Sequence, residues 1–256
     1  MHRRRHGRSY IIKESEISMD LLLKNKVVVI TGGTKGIGLA TAKLFAKEGS
    51  IVVVGARNKV EFDNSIDFFQ LDISNVESCK NFYDYVINKY NRIDILVNNS
   101  GIVRDRTTKK MTDEEFNAVI DTNLKGTFNM TRIIGPHMQN NGYGSIVNIS
   151  SCVTKEGNFG QVNYVASKSG IEGMTKVWAK EFASHGEKVR VNAVAPGPIM
   201  TEIFNNSPNE VIDSFGKKTI LGRLGTVEEI ANVIVFLASD LASYITGTLI
   251  RVDGGY

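Results

Sequence analysis

A phenol and an ammonium group lie four residues apart in the sequence, at Tyr164 and Lys168. Residues with this spacing share one face of a helix, so the two side chains can approach each other. A phenol with a pKa of about 10 is a poor general base at neutral pH, and a neighbouring cation favours the phenolate. The spacing therefore predicts proton transfer by Tyr164 with the help of Lys168. An exposed tyrosine–lysine pair without such a role is the alternative.

Ser151 precedes this pair and is predicted to join it. It follows a run of apolar and small residues at 144–149 that is typical of a buried strand. In parallel α/β sheets ligands bind at the carboxyl ends of strands, where Ser151 is expected. Its hydroxyl can hold a substrate oxygen while Tyr164 transfers the proton. The three side chains together suit acid–base chemistry at a carbonyl or an alcohol.

A glycine-rich turn lies near the start of the chain, where Gly32, Gly36 and Gly38 follow an apolar run at 26–31. An amphipathic helix is predicted directly after the turn, over 39–47. Such a turn lets a pyrophosphate approach free backbone N–H groups at the helix N-terminus, where a side chain would obstruct it. The order of strand, turn and helix therefore predicts a dinucleotide site, although ordinary turns also collect glycine.

The choice of dinucleotide is predicted from the end of the second strand, at Arg57. An acidic side chain there would bind the adenosine ribose of NAD, and residues 55–57 include no acidic side chain. Arg57 and Lys35 can instead face a 2′-phosphate, which arginine binds with two hydrogen bonds. We therefore expect NADP(H) as the cofactor. A solvated arginine at a strand end is the alternative.

The elements that must position these residues alternate along the chain as short apolar runs and helical patterns, which indicates strands buried on both faces. Capping-box patterns at Thr112 and Thr226 mark two helix starts. The stretch between Arg57 and Asp72 is too short for a full crossover helix. The expected strands are 26–31, 51–54, 68–71, 93–97, 144–149, 189–194 and 249–252. The predicted fold class is α/β, a single-domain Rossmann-type doubly wound parallel sheet of about seven strands with helices on both faces.

Length and composition exclude several classes of protein. At 256 residues the chain has room for one α/β domain, and its 42% hydrophobic and 23% charged residues are ordinary globular values. No apolar run is long enough to span a membrane. The formal net charge of +4 owes much to arginines in the N-terminal tail, so we expect no nucleic-acid partner.

Residues 1–22 are predicted to be a flexible extension, because they are rich in arginine and lack the apolar stretch of a secretory signal. Residues 23–256 are predicted to form the NADP-binding domain. Cys79 and Cys152 lie far apart and form no C-x-x-C pattern, which favours reduced thiols in a cytoplasmic protein. The histidines have no spacing that would build a metal site, and we expect no metal.

Taken together, these motifs resemble those of the short-chain dehydrogenase/reductase family, over residues 23–256. One departure is Ser100, where alanine is commoner in the family; a hydroxyl is small enough to have little consequence. The motifs occur in the family's order, as a Thr-Gly-x-x-x-Gly-Ile-Gly turn at 31–38, Asp72, Asn-Asn-Ser-Gly at 98–101, Asn123, Ser151, Tyr164 with Lys168, and Pro196-Gly197 with Thr201.

The resemblance implies four catalytic residues. Ser151 would orient the substrate carbonyl, and the interval to Tyr164 selects it over Ser150. Tyr164 would be the general acid and base. Lys168 would lower the pKa of Tyr164 while it bonds the nicotinamide ribose, and Asn123 would hold a water molecule for the proton relay.

The resemblance also implies an NADP(H) site that is built from several loops. Asp72 and Ile73 would meet the adenine, Asn99 the adenosine ribose, and Ile199 and Thr201 the carboxamide. The whole predicted set is Gly32, Thr34, Lys35, Gly36, Ile37, Gly38, Arg57, Asp72, Ile73, Asn99, Gly101, Tyr164, Lys168, Pro196, Gly197, Ile199 and Thr201.

For the substrate, segments at 222–225, 229–232, 236–240 and 244–247 resemble 3-oxoacyl-(acyl carrier protein) reductases, so a 3-oxoacyl thioester is the main prediction. A carrier protein is acidic and should meet a basic patch, yet 138–143 contains neither lysine nor arginine. The acyl carrier protein therefore stays among the expected partners, although no basic patch supports it. The family resemblance implies a homotetramer that acts on a small-molecule carbonyl or alcohol.

Two alternatives remain for the function. Apolar residues in the predicted lid at 199–221 suit a hydroxysteroid or bile acid, or another ketone or sugar alcohol, although lids also bury apolar residues for packing. A non-catalytic NADP(H) sensor or scaffold on the same fold is the alternative from another class.

Overall fold

The computed structural model describes residues 20–62, 65–201 and 208–256. Seven strands form one sheet in the order β3-β2-β1-β4-β5-β6-β7, and every pair of neighbours is parallel. All seven predicted strands and the predicted fold class are confirmed. The strands are β1 (Val27–Thr31), β2 (Ile51–Ala56), β3 (Ile66–Gln70), β4 (Ile95–Asn98), β5 (Tyr143–Ile149), β6 (Lys188–Pro196) and β7 (Leu249–Val252).

Helices connect most of the strands. A π-helical turn, Ile120–Lys125, separates α3 from α4, and the described residues between β2 and β3 contain no helix, as predicted. Both predicted capping boxes are present, at Thr112 and Thr226. The α-helices are α1 (Gly36–Lys47), α2 (Val76–Tyr90), α3 (Asp113–Val119), α4 (Gly126–Asn140), α5 (Val153–Glu156), α6 (Val162–Glu181), α7 (Asn209–Gly216) and α8 (Val227–Ala238).

The sheet is covered on both faces, because successive side chains of a strand point to opposite sides. In β1, Val28 and Ile30 belong to a core cluster that includes residues of α1 and α8. Val27 and Val29 belong to a second cluster with residues of α2, α4 and α6. Both faces of β1 are therefore apolar over 27–30, which is why its sequence shows no alternation.

The predicted boundary between the N-terminal extension and the domain lies close to the first described residues. Leu23 is buried in the first core cluster, close to the predicted domain start. Residues 1–19 and 202–207 lie outside the described residues, so the boundary between 1–22 and 23–256 stays a prediction, as does the part of the lid at 202–207. No helix in the described ranges is long and apolar enough to cross a membrane.

A buried arginine holds the C-terminal end of α8 against the sheet. The Arg190 guanidinium donates hydrogen bonds to the carbonyl oxygens of Leu237 (2.7 Å), Ala238 (3.2 Å) and Ser239 (3.0 Å). The last carbonyls of a helix have no partner within the helix and carry partial negative charge. From β6, the Arg190 guanidinium supplies hydrogen-bond donors and a positive charge to these carbonyls, so it links α8 to the sheet.

We expect Arg190→Met to lower the free energy of unfolding by about 3 kcal/mol, because several buried carbonyl groups lose their donor. Lys80→Met is the matched control, since Lys80 forms an exposed ion pair with Glu77 and should change stability by less than about 0.5 kcal/mol. Urea unfolding followed by circular dichroism measures both. Equal stability of the two variants would contradict the assigned role of Arg190.

Candidate active site

A cleft of about 390 Å³ opens at the carboxyl edge of the sheet. It lies where β1 pairs with β2 on one side and with β4 on the other. The connection that follows β1 and the connection that follows β4 therefore lead in opposite directions. This is where ligands bind in open α/β sheets. The predicted cofactor residues that line the cleft are Gly32, Thr34, Lys35, Gly36, Ile37, Arg57, Asp72, Ile73, Asn99, Gly101 and Thr201.

The glycine turn leaves the start of α1 open. Helix α1 begins at Gly36 without a capping side chain and without an acidic residue in its first turn. A Cβ atom at Gly36 would meet nothing within 4 Å. The free N–H groups and the positive end of the helix dipole therefore face the cleft, which fits a pyrophosphate.

Gly38 has a different role in the same turn. A Cβ atom there would lie 2.4 Å from the carbonyl oxygen of Gly32, so glycine is required for α1 to pack on the turn. Gly38 was predicted as a cofactor residue, and it does not line the cleft. It shapes the turn, and its predicted role in binding the cofactor stays a prediction.

Asn99 fixes the turn after β1 to the end of β4. Its side-chain amide donates to the carbonyl oxygens of Thr31 (3.1 Å) and Gly32 (2.9 Å). The Thr31 hydroxyl oxygen in return accepts from the backbone N–H groups of Asn99 and Ser100, both at 3.1 Å. The two loops that line the middle of the cleft are thereby held together.

The adenosine end of the cleft is positively charged. Arg57 and Lys35 both line it and are exposed. In the described part of the chain neither is in an ion pair. The carboxylate of Asp72, after β3, accepts from the hydroxyl (2.7 Å) and the N–H (3.0 Å) of Ser74. These residues fit a cofactor with a phosphate on its adenosine ribose.

Tyr164 and Lys168 lie on α6, and Ser151 lies between β5 and α5. Lys168 is 3% exposed, and its Nζ donates to the carbonyl oxygen of Ile149, the last residue of β5, at 2.6 Å. The same nitrogen is 5.7 Å from the centre of the Tyr164 ring. A Cβ atom on Gly101 would lie 3.6 Å from it, so the buried ammonium is next to the cleft wall.

Burial changes the acidity of both groups. It lowers the pKa of the Lys168 ammonium from 10.5 to about 8. It raises the pKa of the Tyr164 phenol; a hydrogen bond with Ser151 acts in the opposite direction, and the charges of Cys152 and Asp105 add to the increase. Desolvation of the phenolate is the largest of these effects, and the expected lowering of the Tyr164 pKa by Lys168 stays a prediction.

Asn123 lies in the π-helical turn and is fully buried. Its Oδ1 accepts from the N–H of Ile102 at 2.8 Å, and its Nδ2 donates to the Ile102 carbonyl oxygen at 3.0 Å. Its main-chain oxygen accepts from the Thr127 hydroxyl at 2.7 Å. Asn123 thus anchors the loop after β4, and a π-helical turn at this point is typical of functional sites. Its predicted role in holding water stays a prediction.

The remaining predicted residues follow β6, and Thr201 alone among them lines the cleft. Pro196 ends the strand. Gly197 packs so closely on the next strand's end that a Cβ atom would lie 2.5 Å from the Cα of Asp253. Ile199 is 6% exposed and belongs to the core. Their predicted contacts with the cofactor stay predictions.

Several residues that line the cleft were not predicted. Ser100 and Ile102 alternate with predicted residues along the loop after β4, so their positions were a usable signal. Thr122 has no such signal, because the π-helical turn that brings it to the cleft is not evident in the sequence. The full unpredicted set is Ala56, Asn58, Leu71, Ser100, Ile102 and Thr122. Within the described ranges no group of three or more histidine, cysteine or acidic residues could hold a metal ion.

Comparison with known proteins gives matches over most of the chain. A family model described as "Enoyl-(Acyl carrier protein) reductase" matches residues 32–256. A Thermotoga maritima protein named 3-oxoacyl-[acyl-carrier-protein] reductase FabG is 46% identical over 243 residues, which are 91% of this chain and 98% of that protein. A Staphylococcus epidermidis protein of the same name is 39% identical over 90% of this chain and 98% of that protein.

Solved structures agree with these matches. The crystal structure of Cj0485 dehydrogenase has a TM-score of 0.87 and 36% identity, and the match covers 93% of this chain and 96% of that one. The crystal structure of gox2181 has a TM-score of 0.87 and 33% identity over 92% of this chain and 97% of that one. The chain therefore belongs to the short-chain dehydrogenase/reductase family and is an oxidoreductase that interconverts a carbonyl group and an alcohol.

Proposed function

We propose that the protein reduces the keto group of 3-oxoacyl thioesters with NADPH. The observation that supports this most directly is the Lys168 ammonium, which lies next to Gly101 of the cleft wall, with Tyr164 on the same helix and hydrogen-bonded to Ser151. The other end of the cleft holds Arg57 and Lys35. The first group can protonate a carbonyl oxygen, and the second can bind a 2′-phosphate.

Different residues of the cleft would bind different parts of NADP(H). The N–H groups at the start of α1 would hold the pyrophosphate, Arg57 and Lys35 the 2′-phosphate, and Asp72 with Ile73 the adenine. When bound, the cofactor supplies the hydride that reduces the carbonyl carbon. Lys168 reaches the cleft wall at Gly101, where it can bond the nicotinamide ribose.

The proton is supplied by the protein's own side chains. Ser151 holds the carbonyl oxygen by its hydroxyl, and Tyr164 donates its phenolic proton to that oxygen as negative charge develops. The ammonium of Lys168 stabilises the phenolate that remains. Asn123, fixed to Ile102, holds the water through which the proton is replaced.

The environment of Tyr164 suits a proton donor. Burial raises the pKa of the phenol, so the phenol is protonated at neutral pH and begins as an acid. A carbonyl that accepts a hydride needs a proton donor, and Tyr164 meets that need.

The choice of a 3-oxoacyl thioester is supported by the relatives named 3-oxoacyl-[acyl-carrier-protein] reductase. We infer that an acyl carrier protein presents the thioester. Ile220 and Leu221 of the lid are 86% and 65% exposed, which suits the apolar acyl chain. The same exposed residues suit a hydroxysteroid or bile acid, which is the second candidate substrate.

Assembly and location belong to the same proposal. A homotetramer is supported by exposed apolar side chains on and after α8, at Phe236, Leu241 and Tyr244. A cytoplasmic location is supported by Cys79 and Cys152, which are free thiols in the structure.

Consumption of NADPH with acetoacetyl-CoA tests the proposed reaction. We expect steady turnover, and Tyr164→Phe should reduce kcat about a thousandfold because the proton donor is lost. Crotonyl-CoA, an enoyl thioester without a keto group, is the control substrate and should not react. Faster turnover of oxidised steroids would favour the second candidate, and NADPH binding without turnover of any carbonyl would favour a sensor.

The choice of cofactor is tested by Arg57→Ala. Loss of a charged hydrogen bond to the 2′-phosphate costs about 2 kcal/mol, so KM for NADPH should rise about thirtyfold while KM for NADH stays nearly constant. Lys59→Ala is the matched control, because Lys59 is an exposed cation two residues away that does not line the cleft. An unchanged ratio of the two KM values in Arg57→Ala would refute the assignment.

The pH dependence follows from the buried ammonium. The pKa of Lys168 is lowered to about 8, so the cation is present below that pH and is lost above it. Without the cation Tyr164 is a weaker acid. We expect kcat/KM for carbonyl reduction to be constant below about pH 7 and to fall as the pH rises through about 8. A rate of reduction that increases between pH 7 and 9 would contradict this role of Lys168.

A further inference from the structure

The loop after β4 is hydrogen-bonded to the segment that leads into α6, within 104–106 and 160–163. The N–H of Arg106 donates to the carbonyl oxygen of Gly160 at 2.8 Å. The side-chain amide of Gln161 donates to both carboxylate oxygens of Asp105, at 3.1 and 3.0 Å. The loop that borders the cofactor cleft is thus joined to the helix that bears Tyr164.

Asn163 makes the most buried of these connections. Its Nδ2 donates to the carbonyl oxygen of Arg104 at 3.0 Å and to that of Glu115 at 3.3 Å. Its Oδ1 accepts from the backbone N–H of Tyr164 at 2.7 Å. The side chain is fully buried, so it links three segments of backbone where water cannot replace it.

The carbonyl side of Tyr164 is held in a similar way. The hydroxyl of Ser167 donates to the Tyr164 carbonyl oxygen at 2.7 Å and accepts from Nδ2 of Asn123 at 3.2 Å. Ser167 and Asn123 are both fully buried. Both backbone polar groups of Tyr164 are therefore bonded to side chains that are themselves fixed.

Asn163 does what a helix cap would otherwise do. The cap residue of α6, Gln161, makes no side-chain hydrogen bond to the first turn of the helix. The N–H groups of a first turn have no partner within the helix. Asn163 supplies one for Tyr164, so the position of the catalytic residue depends on a contact with the loop after β4.

We propose that Asn163 and Ser167 are positioning residues, which fix the backbone of Tyr164 so that its phenol meets Ser151 and the substrate oxygen. This inference rests on the proposed function of Tyr164 as proton donor. A displacement of about 1 Å in a reacting group can cost about a hundredfold in rate. Asparagine is suited to this position because its amide offers a donor and an acceptor, whereas aspartate would place a charge against two carbonyl oxygens.

Steady-state kinetics with acetoacetyl-CoA and NADPH test the inference. We expect Asn163→Ala to lower kcat by about tenfold to a hundredfold, because Tyr164 is less well placed in the transition state. KM for acetoacetyl-CoA and the Kd of NADPH, measured by fluorescence, should stay within about twofold, since the cofactor contacts lie elsewhere. Ser167→Ala removes one hydroxyl, and alanine favours the helix; this variant should lower kcat about threefold to tenfold.

Asn192→Ala is the matched control. Asn192 is an equally buried asparagine on β6 that bonds the carbonyl oxygen of Ile245 and the N–H of Thr248, away from Tyr164. It should lose thermal stability as Asn163→Ala does and keep kcat within about twofold. Should Asn163→Ala fail to fold, Ser167→Ala decides the question alone.

The outcomes separate this inference from the proposed function. If Tyr164→Phe is inactive while Asn163→Ala and Ser167→Ala keep kcat within twofold of the parent protein, the positioning role is refuted and the proposed function stands. An equal loss of kcat in Asn163→Ala and Asn192→Ala also refutes it, since the effect would then be general. Turnover retained by Tyr164→Phe would refute the proposed function itself.

Discussion

All strands of the sheet run in the same direction, and this constraint decides where the chemistry takes place. Parallel strands end at a common edge, so the loops that follow β1, β2, β3, β4 and β5 open on one side. Residues as distant in sequence as Gly36 and Tyr164 are brought to one region in this way. The reversal of strand order at β1 leaves a gap between neighbouring connections, and the cleft fills that gap.

Burial of a single ammonium group organises the reactive end of this edge. The Lys168 Nζ bonds the last carbonyl of β5, which ties α6 to the strand that precedes Ser151. The same burial lowers the pKa of Lys168 and raises that of Tyr164, so the two pKa values move apart. A fold assigns acid and base roles by placing neighbouring groups in environments that shift their pKa values apart. Here the Tyr164 phenol is protonated and the Lys168 amine is mostly charged at neutral pH.

Polar side chains within the protein do much of the positioning that the catalytic motif requires. Asn99 fixes the glycine turn, and Asn123 fixes the loop after β4. Asn163 and Ser167 bond the backbone of Tyr164 itself. The Asn99, Asn123 and Asn163 amides bond backbone groups of loops and of a helix start that would otherwise need water as a partner. One set of hydrogen bonds holds the cleft at Asn99, and a second set, through Asn123, Ser167 and Asn163, holds Tyr164.

The sequence by itself determined the strands, the capped helix starts, the fold class and the family, because apolar periodicity, caps and glycine turns are local signals. It also indicated most residues that line the cleft, since strand ends and their spacing are readable along the chain. Tertiary structure alone decided that Gly38 packs against the turn, that Ile199 lies in the core and that Thr122 lines the cleft. It also decided the direction of the Tyr164 pKa shift and the role of Asn163. These properties depend on burial and on contacts between segments distant in sequence, which no local pattern specifies.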